Sequence, residues 1–287
     1  MKTKNKFLSL MLLAVIIIFT FAGCSMENEP VSFTQSSKSK DTLIVHYIDV
    51  GQADSILVQI NGKNMLIDAG NKEDGNKVVS YLQKQNVSKL DYVIATHPHE
   101  DHIGGMSNII KSFSMGDFYA PKKIATTKVF ENMINALDSK KIKTASAGVK
   151  LDLGENVTCE MLAPNSKDYK DINNYSAVIR LIYGDSKFLF MGDAEKLSEE
   201  EILSTNNDIS ADILKVGHHG SSSSSSVEFL DKVSPKIVVI SSGKGNEYGH
   251  PNKEVLDEFK KRDCTIYRTD IDGTIVFTSD GKKIKKE

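Results

Sequence analysis

One short segment constrains this chain more than any other: Thr96-His97-Pro98-His99-Glu100-Asp101-His102-Ile103-Gly104-Gly105, which follows the apolar run at residues 92–95. Imidazole and carboxylate are the usual nitrogen and oxygen donors to Zn²⁺ and related ions. His97 and His99, two apart across Pro98, can converge on one ion. Asp101 and His102 are adjacent, so their side chains point differently and can hold a second. Gly104 and Gly105 let a following helix start close to the site. The chain has seven histidines, and six fall in three short segments: this one, the His218-His219 pair, and His250. The seventh, His46, sits inside an apolar strand-like run and reads as structural.

The rest of the domain alternates strand and helix signals. Residues 43–50 and 55–60 are β-branched runs, and Asn61-Gly62 is a tight hairpin turn into residues 64–68. The spacing predicts helices over 77–90, 129–137, 198–204 (opened by a Ser198 cap) and 252–262. Strands are expected at 92–95, 213–216 and 237–240. A hairpin is expected within 176–191, with further strands within 265–278 about Asp272-Gly273. Strand clusters and helices thus recur in two similar halves, which suggests two sheets packed face to face with helices outside, an α/β architecture.

The motifs then fall in a recognisable order. The His97-x-His99-x-Asp101-His102 segment resembles the signature of the metallo-β-lactamase superfamily. Asp68, in Leu66-Ile-Asp-Ala-Gly70, matches that family's early supporting aspartate. Asp193, in Phe190-Met-Gly-Asp193, matches the carboxylate that bridges two metals. His218-His219-Gly220-Ser221 matches the late histidine segment. A narrower resemblance joins Asp49-Val-Gly-Gln-Ala-Asp-Ser55 (with Asp54), Asn174-Tyr-Ser176, Ser221 and Gly249-His250-Pro251 to the extracellular hydrolase domain of ComEC competence proteins. It spans roughly residues 42–280. Ala53 stands where those proteins usually have Gly.

The resemblance implies a four-layer αββα sandwich over residues 42–287 and two divalent ions, Zn or Mn. The metal ligands it implies are His97, His99, Asp101, His102, Asp193 and one of the adjacent pair, with His218 preferred over His219. Asp68, Asp54, Asn174 and Ser221 would support the ligands or face the substrate. Most superfamily members place a third histidine before the bridging aspartate. None lies between His102 and His218 here, so Asn173, Asn174 or water is left to fill that position. The chemistry implied is hydrolysis by a metal-activated water, oriented by Asp101 or the spare histidine, with His219 or His250 protonating the leaving group. The expected substrate is a phosphodiester, either single-stranded DNA or a teichoic acid bearing phosphorylcholine. A metal-binding surface module without turnover is the reading from another class. The serine run at 221–226 reads as a flexible loop beside the site rather than as a nucleophile. The lysines at 122, 123, 140, 141 and 143 read as a solvated face, with an anion-binding groove as the alternative.

The N-terminus carries an address. Lys2, Lys4 and Lys6 precede a sixteen-residue apolar stretch, 7–22, too short for a membrane span and suited to a signal peptide. It ends Phe21-Ala22-Gly23-Cys24, which resembles a lipobox, with Phe21 in place of the usual Leu. We therefore expect a signal peptide over 1–23, a lipidated Cys24, a polar tether over 24–41, and a domain on the extracellular face of a bacterial membrane. Formal net charge is −2. Losing three lysines with the leader makes the mature chain more acidic, which excludes a general nucleic-acid coat. Cys159 and Cys264 stand alone in different elements, and no Cys-x-x-Cys pair offers a sulfur-ligated zinc site.

Overall fold

Alternation along single strands organises the molecule. In the run Ile56–Ile60, Ile56 and Val58 face one buried layer while Leu57 between them faces another. A strand buried on both faces reads as a continuous apolar run, and that is what covered sheets require. The structure, a computed structural model, describes residues 42–287. The expected leader, Cys24 and the tether lie outside those residues.

In chain order the strands are β1 Leu43–Tyr47, β2 Ile56–Ile60, β3 Lys63–Ile67, β4 Lys89–Ile94, β5 Ser114–Ala120, β6 Ile142–Thr144, β7 Lys150–Leu151, β8 Val157–Ala163, β9 Val178–Tyr183, β10 Ser186–Phe190, β11 Ile213–Lys215, β12 Ile237–Ile240, β13 Thr265–Arg268, β14 Ile275–Ser279 and β15 Ile284–Lys286. The helices are α1 Gly75–Lys84, α2 Glu100–Ile103, α3 Met106–Ser112, α4 Lys128–Leu137, α5 Lys196–Ser204, α6 Val227–Val233, α7 Lys253–Lys261 and α8 Thr269–Asp272. One sheet has the order β15-β14-β1-β2-β3-β4-β5-β6 and the other β13-β12-β11-β10-β9-β8-β7.

Three buried layers follow. Between the sheets, Tyr47, Val58 and Ile67 meet Leu181, Phe188 and Phe190. Outside the first sheet, Leu57, Leu66 and Val93 pack on Val78, Leu82, Ile109 and Met133 of α1, α3 and α4. Outside the second, Leu189, Leu214 and Val238 pack on Ile202, Phe229 and Phe259 of α5, α6 and α7. This is the αββα sandwich. Each fully buried large side chain contributes about 1.5–3 kcal/mol, so the three layers rather than helix propensity hold the helices in place. Among the described residues no helix is long and apolar enough to cross a membrane.

Several local expectations shift. The helix expected over 77–90 stops at Lys84. Asn86 adopts φ 59° and turns the chain, and Leu90 then enters β4. Ser198 is inside α5 rather than capping it. The strands near Asp272-Gly273 do not pair with each other: β13 is an edge of the second sheet and β14 belongs to the first, so the chain crosses between sheets there. The hairpin at Asn61-Gly62 forms as expected, both residues with positive φ. Ala53 has no left-handed backbone, so the missing glycine is without consequence; Gly51 takes the positive φ instead. His46 is structural, its ring nitrogens 2.9 Å from Tyr81 Oη and 3.2 Å from Gln59 Oε1. Cys159 and Cys264 are free thiols in different buried layers, and burial pushes the Cys159 thiol up to about 12.

Candidate metal centre

Parallel strands end at a common edge, and ligand sites in α/β proteins form outside their carboxyl ends. β3 and β4 run parallel, and so do β10, β11 and β12. Asp68 follows β3, His97 follows β4, Asp193 follows β10, and His218-His219 follows β11. The sheets are tied at this edge by Ala177 N–H donating to Thr96 O at 3.0 Å. Gly192 has φ 54°, and a Cβ there would meet Thr96 and Ser176, so the turn that delivers Asp193 suits only glycine. A Cβ at Gly104 or Gly105 would fall 2.3 Å from Lys72 N or 2.2 Å from Ala69 O. Both positions must therefore be glycine for the 97–105 segment to lie this close.

Asp101, His102, Asp193 and His219 converge, with one donor atom from each within 4.8 Å of all the others. His102 Nε2 lies 3.3 Å from Asp193 Oδ1 and 3.7 Å from Asp101 Oδ2. His219 Nε2 lies 3.7 Å and 3.1 Å from the same two oxygens. The far side of each imidazole is fixed. His102 Nδ1 donates to Asp68 Oδ2 at 2.7 Å, and His219 Nδ1 donates to the Ser241 carbonyl at 3.0 Å. Asp68, fully buried with φ 58°, also accepts from Thr96 N–H and Oγ1–H at 2.8 and 2.7 Å. Partners of this kind set the tautomer and aim Nε2 inward. His102 Nε2 and Asp193 Oδ1 are buried and have no hydrogen-bond partner of good geometry. A cation between them would satisfy both, so the residues fit a divalent ion.

His97 and His99 come next to this cluster. His97 Nε2 is 3.0 Å from His99 Nδ1 and 3.8 Å from Asp193 Oδ2, and its Nδ1 is 3.2 Å from both Thr96 Oγ1 and Ser176 Oγ. Ser176 Oγ in turn accepts from Asp193 N–H at 3.0 Å.

The charges are strongly coupled. Burial opposes ionisation of Asp193, but His102, His219 and His97 outweigh it and hold the carboxyl well below the usual range. Burial likewise disfavours the imidazolium of His102, yet Asp193, Asp101 and Asp68 overcome it and raise that imidazole well above 6.5. His219 is raised against burial by Asp193 and Asp101. His97 moves the other way, lowered by burial and then by His102. Without metal, protons therefore provide the positive charge that the carboxylates demand.

Of the two adjacent histidines, His219 rather than His218 enters the four-residue cluster. His218 is a quarter exposed, with Nε2 3.9 Å from Asp193 Oδ2. Asn174 is committed elsewhere: its Oδ1 accepts from Glu195 and Ser198 N–H, and its Nδ2 donates to Glu195. Asp54 is fully buried and pairs with Lys215 Nζ at 2.8 Å while its other oxygen lies 3.6 Å from His219 Nδ1. The Ser221 hydroxyl pairs with Ser223 Oγ at 3.0 Å, and its N–H donates to the His218 carbonyl at 2.8 Å. The serine loop is pinned rather than loose, because buried Glu199 accepts N–H bonds from Ser225 and Ser226. A cleft of about 330 Å³ opens over the cluster, lined among others by Gln52, Asp101, His218, His250 and Tyr248. His250, lowered by burial and by His218 and His219, stacks on Tyr248, which is 73% exposed at the rim. Among the clustered lysines, Lys143 pairs with Asp117, Lys140 donates to Met115 O and Lys123 lies 4.8 Å over the Tyr175 ring.

Lys215, Glu195 and Tyr248 escaped the sequence reading. Lys215 left a signal, a lone cation within the apolar strand Ile213-Leu-Lys-Val216. Glu195 and Tyr248 left only their nearness to Asp193 and His250.

Comparison with known proteins agrees with this geometry. The chain is 31% identical over 253 residues to ComE operon protein 3 of Bacillus subtilis, covering 81% of this chain and 32% of that protein. It is 28% identical over 249 residues to competence protein ComA of Neisseria gonorrhoeae, covering 86% and 34%. It spans about a third of the length of these relatives. The crystal structure of the metallo-beta-lactamase fold protein YhfI from Bacillus subtilis superposes with TM-score 0.56 at 14% identity, over 83% of this chain and all of that one, a likeness of fold alone. A model of the metallo-beta-lactamase superfamily matches residues 48–244. With that match, the buried carboxylate-imidazole cluster and the αββα layers, this chain belongs to the metallo-beta-lactamase superfamily.

Proposed function

We propose that the protein is a metal-dependent phosphodiesterase, a nuclease acting outside the cell membrane, that works with two divalent ions, Zn or Mn. The observation that carries it is the buried Asp193 carboxylate at the floor of an open cleft, with imidazole Nε2 atoms approaching both of its oxygens. Divalent ions held by these residues would supply Lewis acidity, a lowered pKa for water and charge stabilisation at the scissile group. Asp101, its side chain 30% exposed and open to the cleft, orients the attacking water. His250 faces the same cleft, where its imidazole can hydrogen-bond the leaving oxygen. Tyr248 offers a flat, exposed face at the rim on which a nucleobase can stack. The similarity to competence proteins supports single-stranded DNA as substrate, and a lipidated Cys24 would hold the domain at the outer face of the membrane.

The test is hydrolysis of bis-p-nitrophenyl phosphate by metal-free protein, alone and after adding Zn²⁺ or Mn²⁺, beside a His99→Ala control. Metal-dependent turnover lost in the control supports a phosphodiesterase, and single-stranded DNA compared with teichoic-acid fragments then assigns the polymer. Bound metal without turnover on any of these substrates refutes the reading and favours a binding module.

A further inference from the structure

Resting on the two-ion reading above, we infer that both adjacent histidines are metal ligands, divided between the two ions: His219 to one, and His218 to the other with His97, His99 and Asp193. His218 thus takes the ligand position that no histidine between His102 and His218 fills.

Four imidazole nitrogens converge on Asp193 in two pairs. His102 and His219 approach Oδ1 at 3.3 and 3.7 Å. His97 and His218 approach Oδ2 at 3.8 and 3.9 Å. Asp101 completes the first group, and His99, 3.0 Å from His97 Nε2, completes the second. With Asp193 between them these are two sets of four donors, the number a tetrahedral ion takes; in the first, all donor atoms lie within 4.8 Å of one another.

The far nitrogen of His218 is held as in the other ligands. Its Nδ1 lies 3.2 Å from Glu195 Oε1 and hydrogen-bonds with Ser223 Oγ at 3.1 Å, and Glu195 is braced by the amides of Asn173 and Asn174 at 3.4 and 3.3 Å. A carboxylate on the outer nitrogen is how a ligating imidazole is oriented, and Asp68 does the same for His102.

The backbone gives a separate argument. Adjacent side chains ordinarily diverge, but His218 and His219 have φ 45° and 52°, two successive left-handed residues. Non-glycine residues there carry strain and persist only where surroundings enforce it. His218 N–H donates to Gly192 O and Ser221 N–H to His218 O, which lock this turn. Its effect is to swing both rings onto Asp193. The rival donor is Asn173, whose Oδ1 is buried without a partner.

The experiment counts ions by elemental analysis and titrates Zn²⁺ against a competing chelator, using the full chain in detergent. Wild type should hold two ions. His218→Ala should hold one, with the other bound at least about 100-fold more weakly. Glu195→Gln should weaken that same ion by about 10–100-fold, and it serves as the second variant if His218→Ala misfolds. Asn173→Ala, which removes one of the two amides on Glu195, should still hold two ions, the second weakened no more than in Glu195→Gln. Two ions at wild-type affinity in both His218→Ala and Glu195→Gln overturn the inference, as does loss of one ion in Asn173→Ala instead. A wild type holding a single ion refutes the two-ion reading itself, and the inference with it.

Discussion

The buried ion pair beneath the site makes the sharpest stability prediction. Lys215 and Asp54 have side chains 0% and 2% exposed, 2.8 Å apart, and Asp54 Oδ1 has no hydrogen-bond partner. Replacing Lys215 by Met removes the paired cation and leaves the carboxylate buried, with His219 Nδ1 at 3.6 Å as its remaining basic neighbour. Breaking such a pair from one side costs about 3–5 kcal/mol, a large share of the about 5–15 kcal/mol that holds a domain folded. At about 2–4 °C per kcal/mol for a domain of this size, Lys215→Met should melt about 6–20 °C below wild type. The comparison is made with both proteins in chelator, so that metal affinity does not enter. Replacing both partners, Asp54→Leu with Lys215→Met, removes the orphaned charge and should recover most of the loss, because apolar substitution of a whole buried pair is often neutral or stabilising. A loss below about 1 kcal/mol in the single variant, or a double variant no more stable than the single, would refute the assignment of a desolvated, mutually dependent pair.

Three further outcomes follow from the same geometry. Asp68→Asn takes the carboxylate from His102 Nδ1 and should weaken metal binding by about 10–100-fold in chelator competition, with little change if Asp68 only braces the backbone. His102 and His219 have raised folded pKa values, so their stabilisation is complete below 6.5 and is lost as pH rises through those values. The His97 and His250 shifts run opposite, but their contribution is already complete above 6.5. Chelated protein should therefore melt lower at about pH 9.5 than at about pH 7.5, and Zn²⁺ binding near neutrality should release protons that an indicator dye can count. Gly105→Ala would set a Cβ 2.2 Å from Ala69 O; calorimetry should register about 1–3 kcal/mol of destabilisation, and an unchanged melt would mean that α3 can move aside freely.

Much of the centre is legible in the chain because local chemistry writes it. His97, His99, Asp101 and His102 occupy one loop, so residue type and spacing already name them, whereas Asp68 and Asp193 are named by the family resemblance of the strand ends they follow. The choice between His218 and His219 is not local. It depends on the left-handed turn that aims each ring and on what lies beyond its outer nitrogen, Glu195 for one and the Ser241 carbonyl for the other. Periodicity also overran the end of α1, because nothing in the apolar spacing reports that Asn86 will take positive φ.

Sequence alone determined the donor types, their order, and the strand runs buried on both faces, since these rest on side-chain chemistry and a two-residue period. Tertiary structure decided which strand joins which sheet, which histidine meets which oxygen of Asp193, and that Lys215 in an apolar strand finds Asp54 more than 150 residues away. Those are long-range pairings, fixed by how the two sheets stack, and no short stretch of sequence contains both partners.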